Sequence, residues 1–165
     1  MQLNDYIARH ILEVHNGGNW TEVNISDTLR DISFAEATRK TSASANTIAS
    51  LVYHLNFYNE ILTQRMEGTH PDINEANGFD MPVLRNSSDW ERLKENNLRS
   101  AARLAEVVRQ LPEESLFAAS APGQPIRYKA LHGIAEHAHY HLGQILVIRN
   151  LLRNSGSTLT CSNSL

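Results

Sequence analysis

His137 and His141 stand four residues apart in a segment that reads as helix, so they offer two imidazoles to nearly one side of it. At about 100° of turn and 1.5 Å of rise per residue they are only about 40° apart around the axis and about 6 Å apart along it, within reach of one ion. With Ile134 at the centre of the wheel, Ala138, Ile145, Ile148 and Leu152 gather within roughly 40°. His141 falls inside this apolar stripe and His137 on its flank. His54 stands in the same position on an earlier helix, with Leu51, Tyr58 and Ile61 around it and Asn56, Glu60 and Thr63 on the opposite side. A histidine in a core-facing stripe must satisfy two ring nitrogens away from water. A divalent metal on one nitrogen and a hydrogen bond on the other would do this. A bond to a backbone carbonyl or a tyrosine would also do it, and for any one histidine taken alone that is the commoner arrangement. Both readings stand at this point, with His54, His137 and His141 as the candidate ligands of a single ion. Ligation needs neutral imidazoles, so affinity should fall as pH drops through the ordinary histidine range near 6.5.

Other histidines fit less well. His132 and His139 fall near roughly 150° on the same wheel, on the side away from the stripe. A ferritin-like di-metal centre needs two inward Glu-x-x-His motifs, and only Glu136 and His139 have that spacing, on the outer face.

Four helices must position these residues. Leu3, Ile7, Ile11 and Val14 recur at helical spacing over residues 2–16, and Gly17-Gly18 ends that helix. An irregular stretch follows, with Ser26 and Ser33 as expected N-caps and Glu36 completing a capping box. The second helix is expected over 45–66 and ends at Gly68. Residues 68–87, with Pro71, Gly78 and Pro82, form a long loop of the kind that is often functional. The third helix is capped by Ser88 or Asp89, carries Trp90, Leu93, Ala101, Leu104, Val108 and Leu111, and stops at Pro112. The fourth covers 127–153. The fold class is therefore all-α, a four-helix up-and-down bundle, with residues 1–154 as one domain and 155–165 as a flexible tail. In such a bundle helices two and four run in the same direction, which brings His54 and His137 to similar depth.

Composition narrows the function. With 41% hydrophobic and 20% charged residues the chain has the balance of a soluble globular protein. A net charge of -3 with scattered Lys and Arg gives no basic patch for nucleic acid. No apolar run approaches the ~20 residues of a membrane span. The amphipathic N-terminus with Asp5 and Glu13 fits neither a signal nor a transit peptide. The single Cys161 allows no internal disulfide, and these features point to the cytoplasm.

The run from Glu136 to Ile145, with Gly143-Gln144 behind the histidine pair, together with His54 in Leu51-Val52-Tyr53-His54, resembles the DinB/YfiT-like family of metalloenzymes. The resemblance extends to Trp20–Gly68 and to Asp89-Trp90, and so covers most of the chain. It implies a helical bundle in which His54, His137 and His141 bind one divalent ion, zinc or nickel. It also implies a small-molecule substrate and one of two activities: hydrolysis, or transfer with a low-molecular-weight thiol as cosubstrate. Leu142 stands where many relatives have arginine. Three imidazoles leave a fourth position open, the pattern of a catalytic rather than a structural site. A binding module without turnover and a purely structural bundle are the alternatives.

Several further residues carry two readings each. Gln144 could support a ligand from behind or be solvated. Tyr58 could orient a substrate or pack in the core. His70, Asp72, Glu75 and Asp80 lie in the long loop, which could cover the site or simply be solvated. His10 and His15 look like ordinary amphipathic positions. Cys161 lacks the electropositive setting of a reactive thiol. Gly143 lies mid-helix on a face of mixed polarity, which suggests a homodimer packed through helix four.

Overall fold

Six α-helices and one 3-10 turn are formed within residues 2–154, the part of the chain that the computed structural model describes. They are α1 (Leu3–Asn16), α2 (Ile25–Leu29), α3 (Phe34–Thr38), α4 (Ile48–Met66), α5 (Ser87–Gln110), the 3-10 turn Glu113–Phe117, and α6 (Arg127–Asn154). The long helices α1, α4, α5 and α6 are those expected from the apolar spacing, and there is no strand among the described residues. The expected tail, with Cys161, lies outside the described residues. No helix among the described residues is long and apolar enough to cross a membrane.

The helix ends follow the capping chemistry more closely than the apolar pattern. Thr47 caps α4 by accepting from the Ser50 N–H, so the helix starts later than expected. Asn24, not Ser26, caps α2, and Asn86, neither Ser88 nor Asp89, caps α5; each Asn carbonyl oxygen accepts the N–H three residues on. Ser33 and Glu36 do form the expected capping box on α3. At the far end of α5, Leu111 is extended (ψ 140°), as steric crowding by Pro112 requires.

The helix directions depart from simple alternation. Asn4 on α1 donates to the carbonyls of Arg109 and Leu111, while His15 pairs with Asn97, so α1 and α5 are antiparallel. On α4 and α5 the partners advance together: Asn56 with Leu93 and Asn97, Asn59 with Ser100, and Glu67 with Arg103. These two helices are therefore parallel. Against α6, α4 runs the other way, since Leu62 and Met66 share a cluster with Leu131 and Ile134, whereas Ile48 and Leu51 meet Ile145 and Ile148. Helices two and four of the sequence reading are thus antiparallel. Residues 54 and 137 still meet because α6 is longer than α4 and overshoots it. Its last turn reaches the α2–α3 segment, where Arg153 pairs with Asp31 at 3.1 Å and Glu36 at 3.2 Å.

Two apolar clusters fill the interior. One surrounds Trp90, which is fully buried and donates its indole N–H to the Ile32 carbonyl at 2.8 Å; this bond holds the α2–α3 segment to α5. The other lies between Ile7, Leu104, Leu116 and Leu131. A buried polar network joins α1, α4 and α5. His15, only 1% exposed, bonds Asn97 at 2.8 Å through Nδ1. Asn97 in turn donates to Asn56, and the Asn59 amide reaches Ser100 and, at 3.5 Å, His15 Nε2. His15 is therefore a core residue, not the ordinary amphipathic position expected.

A candidate three-histidine metal centre

The Nε2 atoms of His54, His137 and His141 converge on one point. His137 Nε2 lies 3.0 Å from His54 Nε2 and 3.0 Å from His141 Nε2. One ligating atom from each ring falls within 4.8 Å of the other two. A tetrahedral ion held at about 2.0–2.1 Å would set its nitrogens roughly 3.3 Å apart, close to these separations. His54 and His141 are buried at 3% and 6% exposure, and His137 is half-buried on the cavity side.

The outer nitrogens decide what the inner ones can do. His54 Nδ1–H donates to the Asn77 carbonyl at 2.9 Å, and His141 Nδ1–H donates to Gln144 Oε1 at 2.7 Å. A neutral imidazole has one N–H. Spending it outward leaves a bare lone pair on both inner nitrogens, aimed at a third nitrogen. His137 Nδ1 is buried without a partner. Hydrogen bonds among the three rings cannot satisfy this set, whereas a cation accepts all three lone pairs. The residues therefore fit a divalent metal ion. Burial, reinforced by the neighbouring imidazoles, lowers the basicity of His54 and His137 to about 4, and burial also lowers His141. The triad is neutral at pH 7, as ligation requires.

This moves the pH window set by ordinary histidines. Protons compete with the ion near and below about 4 at His54 and His137, and below the ordinary value of 6.5 at His141. Metal affinity should accordingly hold as pH falls from 8 to the ordinary histidine value and be lost at lower pH than ordinary histidines would set. Titration of zinc against a chromophoric chelator at each pH reads this directly. A fall centred on 6.5 would show that the rings are not desolvated as the packing implies.

Local chain geometry explains how the loop after α4 reaches the site. Asn77 and Gly78 both have positive φ, 51° and 74°, and the Phe79 N–H returns to the Ala76 carbonyl at 2.9 Å. This is the tight turn that Asn-Gly favours. A Cβ on Gly78 would lie 2.5 Å from a ring carbon of Phe57, so the turn also needs the missing side chain. The turn presents the Asn77 carbonyl to His54 and stacks Phe79 on its ring at 4.1 Å and 13°. Tyr58 sits edge-on to His54 and His137, at 4.9 and 5.0 Å, and donates its hydroxyl to Asn77 Oδ1. Asn77 and Phe79 were not among the candidates; the Asn-Gly pair inside a long loop was the signal for them. The loop covers His54 through this turn, while His70, Asp72, Glu75 and Asp80 are exposed. Gln144 supports His141 from behind, the first of its two expected readings.

A cavity of about 480 Å³ opens beside the triad, lined by His54, Tyr58, Asn77 and His137 at one end. Ile61, Leu62, Ala130 and Ile134 form its walls, and Arg65 lies toward the far end. His132 and His139 take no part. They turn toward α1, where each ring centroid lies 6.3 Å from that of His10, and His139 Nδ1 bonds the Ala135 carbonyl. Both are half-buried, not on the solvent face expected, because α1 packs on that side of α6.

Four long helices with three histidines converging between the second and fourth define a helical protein with a cluster that could hold one metal ion. The chain belongs to the DinB superfamily, whose family model matches residues 19–145 and includes all three histidines. No curated protein and no solved structure matches it.

Proposed function

We propose that this chain is a metal-dependent enzyme in which His54, His137 and His141 hold one zinc or nickel ion against a substrate cavity. The observation that carries this is the convergence of the three inner nitrogens at the end of a cavity of about 480 Å³. A divalent ion there supplies Lewis-acid chemistry and lowers the pKa of a coordinated water or thiol. Asn77 and Gln144 fix the tautomers and ring orientations of His54 and His141. Phe79, stacked on His54, excludes water from that side.

Among the described residues the cavity lining holds no carboxylate. Amide or ester hydrolysis gains from a positioned general acid and base. A thiol, with its pKa already near 8.5, needs only the ion to become a nucleophile. The lining therefore favours transfer from a low-molecular-weight thiol over hydrolysis, and a reducing cytoplasm is the setting such a cosubstrate requires. Zinc-loaded protein offered a small thiol and an electrophile should consume both, and should be slower on ester and amide substrates. Ester hydrolysis without thiol consumption would favour the hydrolase. No turnover in either assay would leave a metal-binding module.

We further propose that two copies associate through α6. A Cβ on Gly143 would meet no atom within 4 Å among the described residues, so none of the described helices needs that gap. Tyr140 and Val147, on the same face, are 64% and 57% exposed. An isologous contact would cover both patches at once. Sedimentation should show a dimer that Gly143→Leu converts to monomer. A monomeric wild type, or a mutant as dimeric as the wild type, would exclude this interface.

A further inference from the structure

The cavity beside the triad has one charged side chain in its lining, and the metal site does not use it. Arg65 lines the cavity, is half-buried, and has its Nε buried with no hydrogen-bond partner. Its side chain makes no ion pair among the described residues. The contrast with Arg103 is direct, since that guanidinium is held by Glu60 on α4 and by Glu67 at its C-cap. A buried Nε–H without an acceptor is costly, and an anionic group that accepts from it and from a terminal nitrogen would complete it.

Its position sets the length of that partner. Arg65 follows His54 by eleven residues, about 16 Å along the axis of α4. Helical side chains lean toward the N-terminus, so the guanidinium reaches back toward the histidines and leaves a gap of about 10 Å. Between the two ends the walls are Ile61, Leu62, Ala130 and Ile134. The Asn77 and Tyr58 polar groups are bonded to each other and to His54 at the histidine end. The far end thus offers a single two-pronged cationic fork and no other polar side chain in the lining. A carboxylate, with one charge and two oxygens, matches one fork. A phosphate dianion would call for further donors.

We propose that Arg65 anchors the carboxylate of an elongated substrate or cosubstrate with an apolar body, whose reacting end lies at the three histidines. This rests on the metal-site reading for the reacting end and is independent of it for the anchor.

The test uses zinc-loaded full-length chain and calorimetric titration with mercaptooctanoate, mercaptooctanol and mercaptopropionate. Mercaptooctanoate should bind about ten- to a hundred-fold tighter than mercaptooctanol, the worth of one charge-assisted pair. Added salt should erode that advantage. Arg65→Gln should abolish the difference and leave mercaptooctanol affinity and zinc content unchanged. Arg65→Lys should restore part of it, because the charge returns without the fork. Mercaptopropionate, too short to span the gap, should be indifferent to Arg65. Equal affinity for the acid and the alcohol in the wild type, or a preference that survives Arg65→Gln, would overturn the proposal. Octanoate, which has no thiol, separates the two ideas. Its binding to metal-free His54→Ala protein should still weaken on Arg65→Gln. If it does while neither thiol responds to zinc, the anchor stands and the metal-site reading fails. If it does not, the anchor fails whatever the metal does.

Discussion

Protein purified without chelator should carry close to one divalent ion per chain, and His141→Ala should carry almost none. The substitution leaves two ligands and removes the one whose outer nitrogen Gln144 holds in place. Losing a partner behind a ligand commonly lowers metal affinity by about 10- to 100-fold, so losing the ligand itself should exceed that range. Gln144→Ala is then the graded case. It should keep the site and weaken it by roughly ten-fold, because His141 would be free to rotate or to take the other tautomer. His139→Ala should leave metal content unchanged, since that ring faces α1 and His10. Elemental analysis gives the stoichiometry, and chelator competition gives the affinities. Full metal content in the His141→Ala protein would remove the triad from consideration.

The second large effect is on stability in acid, and it comes from a histidine remote from any ligand role. Burial lowers the His15 pKa from 6.5 to about 4, while its bond to Asn97 opposes the shift only in part. In the unfolded chain the same ring returns to about 6.5. The unfolded state therefore binds the extra proton first. The contribution of neutral His15 is fully present above pH 6.5 and is lost as pH falls through the window down to about 4. Between pH 7 and pH 5 this amounts to about 2 kcal/mol. His54 and His137 in the metal-free protein act in the same direction. Comparison with His15→Gln isolates the His15 share, because glutamine does not titrate and the other two histidines are common to both proteins. Urea midpoints of metal-free protein should show the wild type losing about 2 kcal/mol more than His15→Gln over that interval. Parallel losses would mean that His15 is not buried neutral. Asn97→Ala should cost roughly 3 kcal/mol at pH 7, since it leaves His15 Nδ1 and Asn56 Oδ1 without their partners.

What the sequence made legible was periodic and local. The four long helices follow from apolar spacing, and the joint placement of His54, His137 and His141 follows from two helical wheels. The capping box at Ser33 was visible because both of its partners lie within one turn. Asn24 and Asn86 were missed as caps because several short polar residues compete near each helix start, and only backbone geometry chooses among them. Helix direction was beyond reach. The depth of His54 along α4 is compatible with a parallel or an antiparallel α6, and the choice depends on packing such as that of Leu62 and Met66 with Leu131 and Ile134. The burial of His15 was hidden for the same reason, as its partners come from residues 59 and 97. Around the three-histidine cluster, the histidines themselves were readable and their supports only in part. Gln144 is three residues from His141 and was within view. Asn77 acts through its backbone carbonyl, which no side-chain pattern reports.

The parallel arrangement of α4 and α5 sets a minimum tether length for this protein. The chain leaves α4 at one end and must enter α5 at the other. That return runs nearly the full length of a 19-residue helix, about 28 Å. Extended chain covers this in about nine residues, and the connection has twenty, from 67 to 86. In an alternating bundle the same connection could be trimmed to a short hairpin. Here the surplus is what folds into the Asn77–Phe79 turn over His54. Progressive deletion from the Gly68 side should therefore pass through two thresholds. The first exhausts the slack before residue 76 and changes little. The second pulls the turn off His54 while the helices can still pair, so that a shortened chain keeps its fold and loses its grip on the metal.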